Sequence, residues 1–191
     1  MKNCLFLGYK KRDTKLILAI KKKGWKITEW GNKKPGKIFF KYDLIVSFGY
    51  KHVIDINILK KCKRPIINLH ISYLPYNKGA FPNFWSFINN TPKGVSIHEM
   101  SKKIDSGNIL YRKKILFEKN INSFKITYKI LTKNLEILFL KKINFILDKK
   151  YIIKKLKDKK SFHFKSDLPK FMKNWDISIS KAKKLYFLTK K

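Results

Sequence analysis

The chain has 191 residues, 44% hydrophobic and 15% aromatic, with a net charge of +34. That length and apolar content suit one globular domain with a buried core and exclude a disordered chain. Its apolar runs are too short for a signal peptide or a bilayer span, and two isolated cysteines, Cys4 and Cys62, make neither a disulfide framework nor a zinc cluster. The expectation is a soluble, cytoplasmic protein without a metal.

The charge invites a nucleic-acid reading, but only Arg12, Arg64 and Arg112 among the 46 basic residues are arginine. Phosphate and base recognition favours the guanidinium fork over the lysine ammonium. The sequence also holds 26 Ile and 14 Asn against three Ala and no Gln, a bias towards A/T-rich codons. Most of the lysine is therefore read as a solvated surface that attracts anionic substrates, and a basic polyanion binder is the weaker alternative.

Residues 3–8 (NCLFLG) read as a buried strand. Residues 13–23 read as a helix with Asp13 as N-cap and Leu16, Ile17 and Ile20 on its apolar face. A second strand over 25–30, a turn region at 32–36 and a third strand over 43–47 (DLIVS) follow. The third is too uniformly apolar for a one-sided sheet, as in parallel sheets covered on both faces. A helix over 51–62 and a fourth strand over 65–68 (PIIN) complete the alternation, which implies an α/β fold with a mostly parallel sheet.

Residues 69–82 form a Pro- and Gly-punctuated loop at the carboxyl end of that fourth strand, the edge where ligands bind in open α/β sheets. A short helix over 83–88 follows, then strands over 94–98 and 108–115 joined by the loop 99–107. A long amphipathic helix spans 122–147. Beyond it lie a charged stretch, 149–160, the segment SFHFKSDL (161–168) and a last helix over 179–188. The chain is thus expected to form one domain, 1–150, with a C-terminal extension, 151–191, packed on it.

Asn68 and His70 stand two apart at the strand end and share a face. An amide and an imidazole side by side can bind a developing oxyanion and manage a proton. They open the pattern Asn68-x-His70-x-Ser72-x-Leu74-Pro75-x3-Gly79, and Asp105 follows in the turn IDSGNIL. His52, at the start of a helix, and His98, at the end of a strand, read as structural. Phe81, Phe84 and Trp85 suit core packing better than base stacking, and His163 is open between a substrate contact and a structural role.

Three segments, LIVSFGYKHVI (44–54), INLHISYLPYNKGAFPNFW (67–85) and PKGVSIHEMSKKIDSGNIL (92–110), resemble the folate-dependent formyltransferase family. The resemblance implies a Rossmann-like formyltransferase fold, with Asn68, His70 and Asp105 at the family's catalytic positions. It places Ser47, Phe48, Gly49 and Tyr50, with Ile104 and Asp105, around the pterin of N10-formyltetrahydrofolate, and Ser72, Lys78, Gly79 and Trp85 on the acceptor side. Too few residues follow the long helix for the barrel domain of the methionyl-tRNA enzymes. The segment NKGAFPNFWSF is similar to the nucleotide-sugar N-formyltransferases, which implies a folate donor and a dTDP-linked amino sugar acceptor. Glycinamide ribonucleotide or another small amine is the alternative, and a homodimer through the C-terminal extension is expected. The family usually has one more βα unit where this chain runs directly from Trp30 to Asp43.

Overall fold

β1 (Asn3–Gly8) and β3 (Leu44–Phe48) are buried along almost their whole length in the computed structural model, which describes residues 1–156, 161–172 and 174–189. Strands of that kind need cover on both sheet faces, and alternate side chains supply it. Cys4 and Phe6 of β1 pack with Leu44, Val46 and Phe48 of β3 against α1 (Leu16–Lys22) and α4 (Phe124–Leu147). Leu5, Leu7 and Ile45 face the opposite layer, built on Phe39, Ile54 and Ile66 and flanked by α2 (Ile56–Lys61). On α4 the buried Leu131, Leu135, Phe139 and Ile143 recur every four residues, forming a continuous stripe towards the sheet.

The main sheet has the order β2-β1-β3-β4-β6-β7, completed by β2 (Lys26–Gly31), β4 (Ile67–His70), β6 (Gly94–Glu99) and β7 (Ile109–Lys114). The first four run parallel, while β6 is antiparallel to β4 and β7 to β6. This is the expected mostly parallel α/β architecture. β1 lies between β2 and β3, so the chain leaves it to one side and returns on the other. The loops past the carboxyl ends of β1 and β3 then diverge and open a crevice.

Several local expectations are corrected. Asp13 does not cap α1: its carboxylate accepts from the Lys10 N–H at 2.9 Å inside a preceding turn, and the helix begins at Leu16. α2 starts at Ile56 rather than residue 51, because Asp55 caps it by accepting from the Asn57 N–H at 2.7 Å. His52 is therefore not at a helix start, and the non-helical stretch before Asp55 is free to line the crevice. β4 continues to His70, since Leu69 and His70 pair with Ile97 and Ser96 of β6. A single 3-10 turn, Lys37–Lys41, occupies the link between β2 and β3 where the family's longer connection is expected.

The loop after β4 contains a two-residue strand, β5 (Lys78–Gly79), paired in parallel with β8 (Phe162–His163) of the C-terminal extension. Gly79 has φ +84, and a Cβ there would lie 2.3 Å from the His163 carbonyl oxygen, so the pairing requires glycine. α3 (Pro82–Ile88) and α5 (Ile179–Leu188) pack together through Phe84, Trp85 and Phe87 against Met172, Ile179 and Ala182. Within the stretch 149–160, Lys154 bridges to Ile109 of β7, and 157–160 lie outside the described residues. Among the described residues no helix is long and apolar enough to cross a membrane.

Leu135 is fully buried at the centre of the α4 stripe. Leu135→Ala is expected to cost about 2–5 kcal/mol in denaturant unfolding, as lost transfer energy plus a cavity.

Candidate active site

The β4 register sets the first two side chains. Asn68 lies opposite Ser47 of β3 on one side and His98 of β6 on the other. The third comes from the loop joining β6 to β7. There Gly107 passes so close to the Glu99 carbonyl oxygen that a Cβ would sit 1.8 Å from it, and Asp105 is held left-handed at φ +48. A non-glycine residue in that conformation is retained when its surroundings over-determine it.

Those surroundings are specific. Asp105 Oδ2 accepts from the Gly79 N–H at 2.9 Å and lies 3.5 Å from His70 Nε2. Its Oδ1 lies 3.4 Å from both His98 Nε2 and Asn68 Nδ2. The side chain is only 9% exposed. His98 Nδ1 donates to the Glu99 carbonyl at 2.8 Å, so in the neutral ring Nε2 carries the lone pair and accepts from Asn68 Nδ2 at 3.1 Å. This pins the Asn68 amide, with its nitrogen towards His98 and Asp105.

His70 takes the same tautomer. Nε2 is buried and has no hydrogen-bond partner among the described residues. The ring is also hydrogen-bonded to the Asn77 backbone in the sense that favours its protonated form, so Nδ1 donates to that carbonyl. Neutral His70 therefore presents a lone pair on Nε2 beside Asp105. Burial pushes the imidazole below its ordinary 6.5 and His98 adds to this, while Asp105 and the Asn77 carbonyl oppose it. For Asp105, burial alone would push the carboxyl up. His70 and His98 in their protonated forms, together with the Gly79 N–H, more than offset that and hold it well below the usual carboxylate range. The pair thus rests as a neutral imidazole beside a carboxylate.

These four side chains line a cavity of about 570 Å³. One wall is the stretch from Phe48 to Ile54 past the end of β3, with Ile104 across from it. Tyr9 and Tyr128 meet there, their hydroxyls 2.6 Å apart. The cavity is also lined from Gly79 to Pro82 and from Phe162 to Lys165 of the extension. Lys51, Lys102 and Lys165 stand among the lining residues, and among the described residues there Asp105 is the single acid.

Of the sequence candidates, Asn68, His70 and Asp105 converge, and Phe48, Gly49, Tyr50, Ile104 and Gly79 line the cavity. Four others lie behind its walls. Ser47 is buried in the strand ladder. Ser72 donates to the Tyr76 carbonyl at 2.6 Å and shapes the loop. Lys78 is 8% exposed with its ammonium on Ser106 at 3.0 Å. Trp85, 3% exposed, stacks on His163 with ring centres 4.1 Å apart and an interplanar angle of 7°. Core packing therefore describes Trp85, and it holds His163 in the wall.

Sequence reasoning missed His98, Tyr9 and Tyr128. His98 reads as an isolated strand-end residue until β6 is known to pair antiparallel with β4 in the register that sets it against Asn68. His52 is outside the cluster, bonded to the Asn32 carbonyl at 2.7 Å.

The profile of the formyl transferase family matches residues 8–141. The chain belongs to that family. It is 40% identical over 115 residues to the bifunctional polymyxin resistance protein ArnA of Wigglesworthia glossinidia brevipalpis, covering 56% of this chain and 17% of that protein. It is 30% identical over 86 residues to the dTDP-4-amino-4,6-dideoxyglucose formyltransferase of Mycobacterium bovis, covering 45% and 36%. The chain thus spans about a third or less of these curated relatives. The structure of the formyltransferase PseJ from Anoxybacillus kamchatkensis, in complex with UDP-4,6-dideoxy-4-formamido-L-AltNAc and tetrahydrofolate, is similar over nearly the full length. It superposes with a TM-score of 0.86 at 32% identity over 94% of this chain and 96% of PseJ.

Both His70 and Asp105 have folded pKa values below their ordinary ones, so the folded state binds fewer protons and acid destabilises it. The His70 contribution is lost as pH falls through about 6.5 and the Asp105 contribution only as it falls below about 3.8. An NMR titration of the His70 ring is expected to give a midpoint under 6.5, and Asp105→Asn is expected to move it lower still. A midpoint that rises in that variant contradicts the assigned pairing.

Proposed function

We propose that this chain transfers a formyl group from N10-formyltetrahydrofolate to the amino group of a nucleotide-linked amino sugar. The observation that carries this is the cluster of Asn68, His70 and Asp105 at the base of a cavity with two distinct walls, with a buried, unpartnered imidazole nitrogen aimed among them. The close likeness to PseJ over almost the whole of both chains supports both substrates.

The residues fit a pterin and a reacting amine. The wall past β3 offers backbone groups beside the apolar Phe48, Ile54 and Ile104, as a flat heterocycle with polar edges requires. The donor supplies an activated formyl carbon. Attack by an amine puts negative charge on the formyl oxygen and a surplus proton on the nitrogen. His70, neutral with its Nε2 lone pair free, takes that proton. Asp105 stabilises the imidazolium that results and, being already a carboxylate, does not compete for the proton. His70 can then return the proton to the departing folate nitrogen as the new amide bond is completed.

Asn68 stabilises the oxyanion. One hydrogen of its amide is held by His98 at 3.1 Å, whereas the contact to Asp105 is stretched to 3.4 Å. The second hydrogen is therefore the one a full negative charge draws away. His98 fixes the amide so that this donor is aimed before the reaction begins, which is where electrostatic catalysis gains most.

For the acceptor, the M. bovis relative's name and the PseJ ligand share a 4,6-dideoxy sugar with nitrogen at C4. We take a 4-amino-4,6-dideoxy sugar as the substrate class. The expected dTDP and the UDP of PseJ both remain as carriers, and the match across 96% of PseJ favours UDP. The lysines at the cavity mouth suit a pyrophosphate.

The test is mass spectrometry of reactions containing N10-formyltetrahydrofolate and UDP- or dTDP-linked 3- and 4-amino sugars, alongside glycinamide ribonucleotide. A formylated 4-amino sugar nucleotide is expected. His70→Asn is expected to abolish most turnover, and Asn68→Ala to lower kcat by roughly 100- to 1,000-fold, the usual effect of losing one oxyanion donor. Formylation of glycinamide ribonucleotide alone overturns the sugar assignment, and no formylated product from any amine overturns the activity.

A further inference from the structure

Lys78 is a lysine where the fold has little use for one. It is 8% exposed, and its ammonium donates to Ser106 Oγ at 3.0 Å. Burying an ammonium is costly unless a nearby anion and good acceptors compensate. Burial lowers the ammonium's pKa and Lys103 adds to this, while Asp105 opposes both. The acid beside it is therefore the one that faces His70.

The contacts form a bracket around that acid. Ser106 Oγ, which accepts the hydrogen bond from Lys78, itself donates to the Ile104 carbonyl at 3.0 Å. Lys78 thus fixes the residues on either side of Asp105 through one short chain of hydrogen bonds. Its neighbour Gly79 grips the carboxylate directly through its N–H at 2.9 Å. Asp105 sits at φ +48, a conformation a non-glycine residue leaves when it is free to do so. Both grips come from β5, which is anchored in turn by Lys78 N–H to Ser161 carbonyl at 3.0 Å and Ala80 N–H to His163 carbonyl at 2.9 Å.

We propose that Lys78 is a positioning residue, whose ammonium clamps the Ile104–Ser106 turn so that Asp105 stays turned towards His70 and His98. In this role it does not contact a substrate phosphate, because its ammonium is behind the wall and committed to Ser106. It links the C-terminal extension to the proton-handling pair through β5.

The mechanism makes a signed prediction at His70. The titratable groups facing that ring are Asp105 and His98. Losing a positive charge alone would raise the His70 pKa, whereas letting Asp105 swing away lowers it. In Lys78→Met the His70 ring titration is expected to shift downward by NMR. In the formyl-transfer assay, which rests on the function proposed above, kcat is expected to fall by roughly 10- to 100-fold with a smaller change in KM, as for a misplaced catalytic group. Lys78→Arg, which keeps a donor for Ser106, is expected to retain most activity. Ser106→Ala removes the acceptor instead of the donor and should shift His70 in the same direction, so it decides the matter if Lys78→Met does not fold. A His70 titration that is unchanged or raised in a folded variant overturns the proposal. The NMR arm needs no substrate, so a wild-type chain that transfers no formyl group removes the proposed function while leaving Lys78 still tested.

Discussion

An ionised carboxylate with 9% of its side chain exposed is stable only where other groups replace the water it has lost. Around Asp105 that replacement comes from three elements of the chain. β4 brings Asn68 and His70, β6 brings His98, and β5 brings the Gly79 N–H. None of these segments is near Asp105 unless the sheet order places β6 beside β4 and the loop after β4 folds back. The carboxylate therefore ties the formation of the site to the formation of the fold. Its removal would leave His70 without the anion that supports its protonated form.

The same arrangement explains what the sequence could show. The Asn68–His70 pair was legible because strand periodicity is a local property: two residues at spacing two share a face wherever the strand lies. The apolar runs at 3–8 and 43–47 marked buried parallel strands for a similar reason. Asp105 became legible only through likeness to a family. No local rule connects a turn residue to a strand whose contact with it depends on the β6–β7 hairpin.

What stayed hidden depended on register or on side-chain competition. His98 is opposite Asn68 only because β6 pairs antiparallel in one register, and a slip of one residue would turn it to the other face. Lys78 reads from the sequence as an acceptor-side residue of the cleft loop, and its burial follows from β5 pairing with β8 far along the chain. Asp13 and Asp55 are both plausible caps by type. The first is taken by a Lys10 turn and the second caps α2, a difference of backbone path that composition does not carry.

The site thus has two mechanical parts. Its base is the middle of a sheet whose strands are buried on both faces, and Asn68, His70 and His98 inherit that rigidity from β4 and β6. The wall from Gly79 to Pro82 hangs on a two-residue pairing between β5 and β8, backed by the Trp85–His163 stack. Chemistry that needs atoms held to a fraction of an ångström belongs on the first part. A surface that must be reshaped for different acceptors belongs on the second, where loop changes leave the core untouched. Asp105 is supported by both, bonded to the base through Asn68 and to the wall through Gly79. Through β5 and Gly79, residues 161–163 are thus connected to the Asp105 carboxylate without passing through the main sheet.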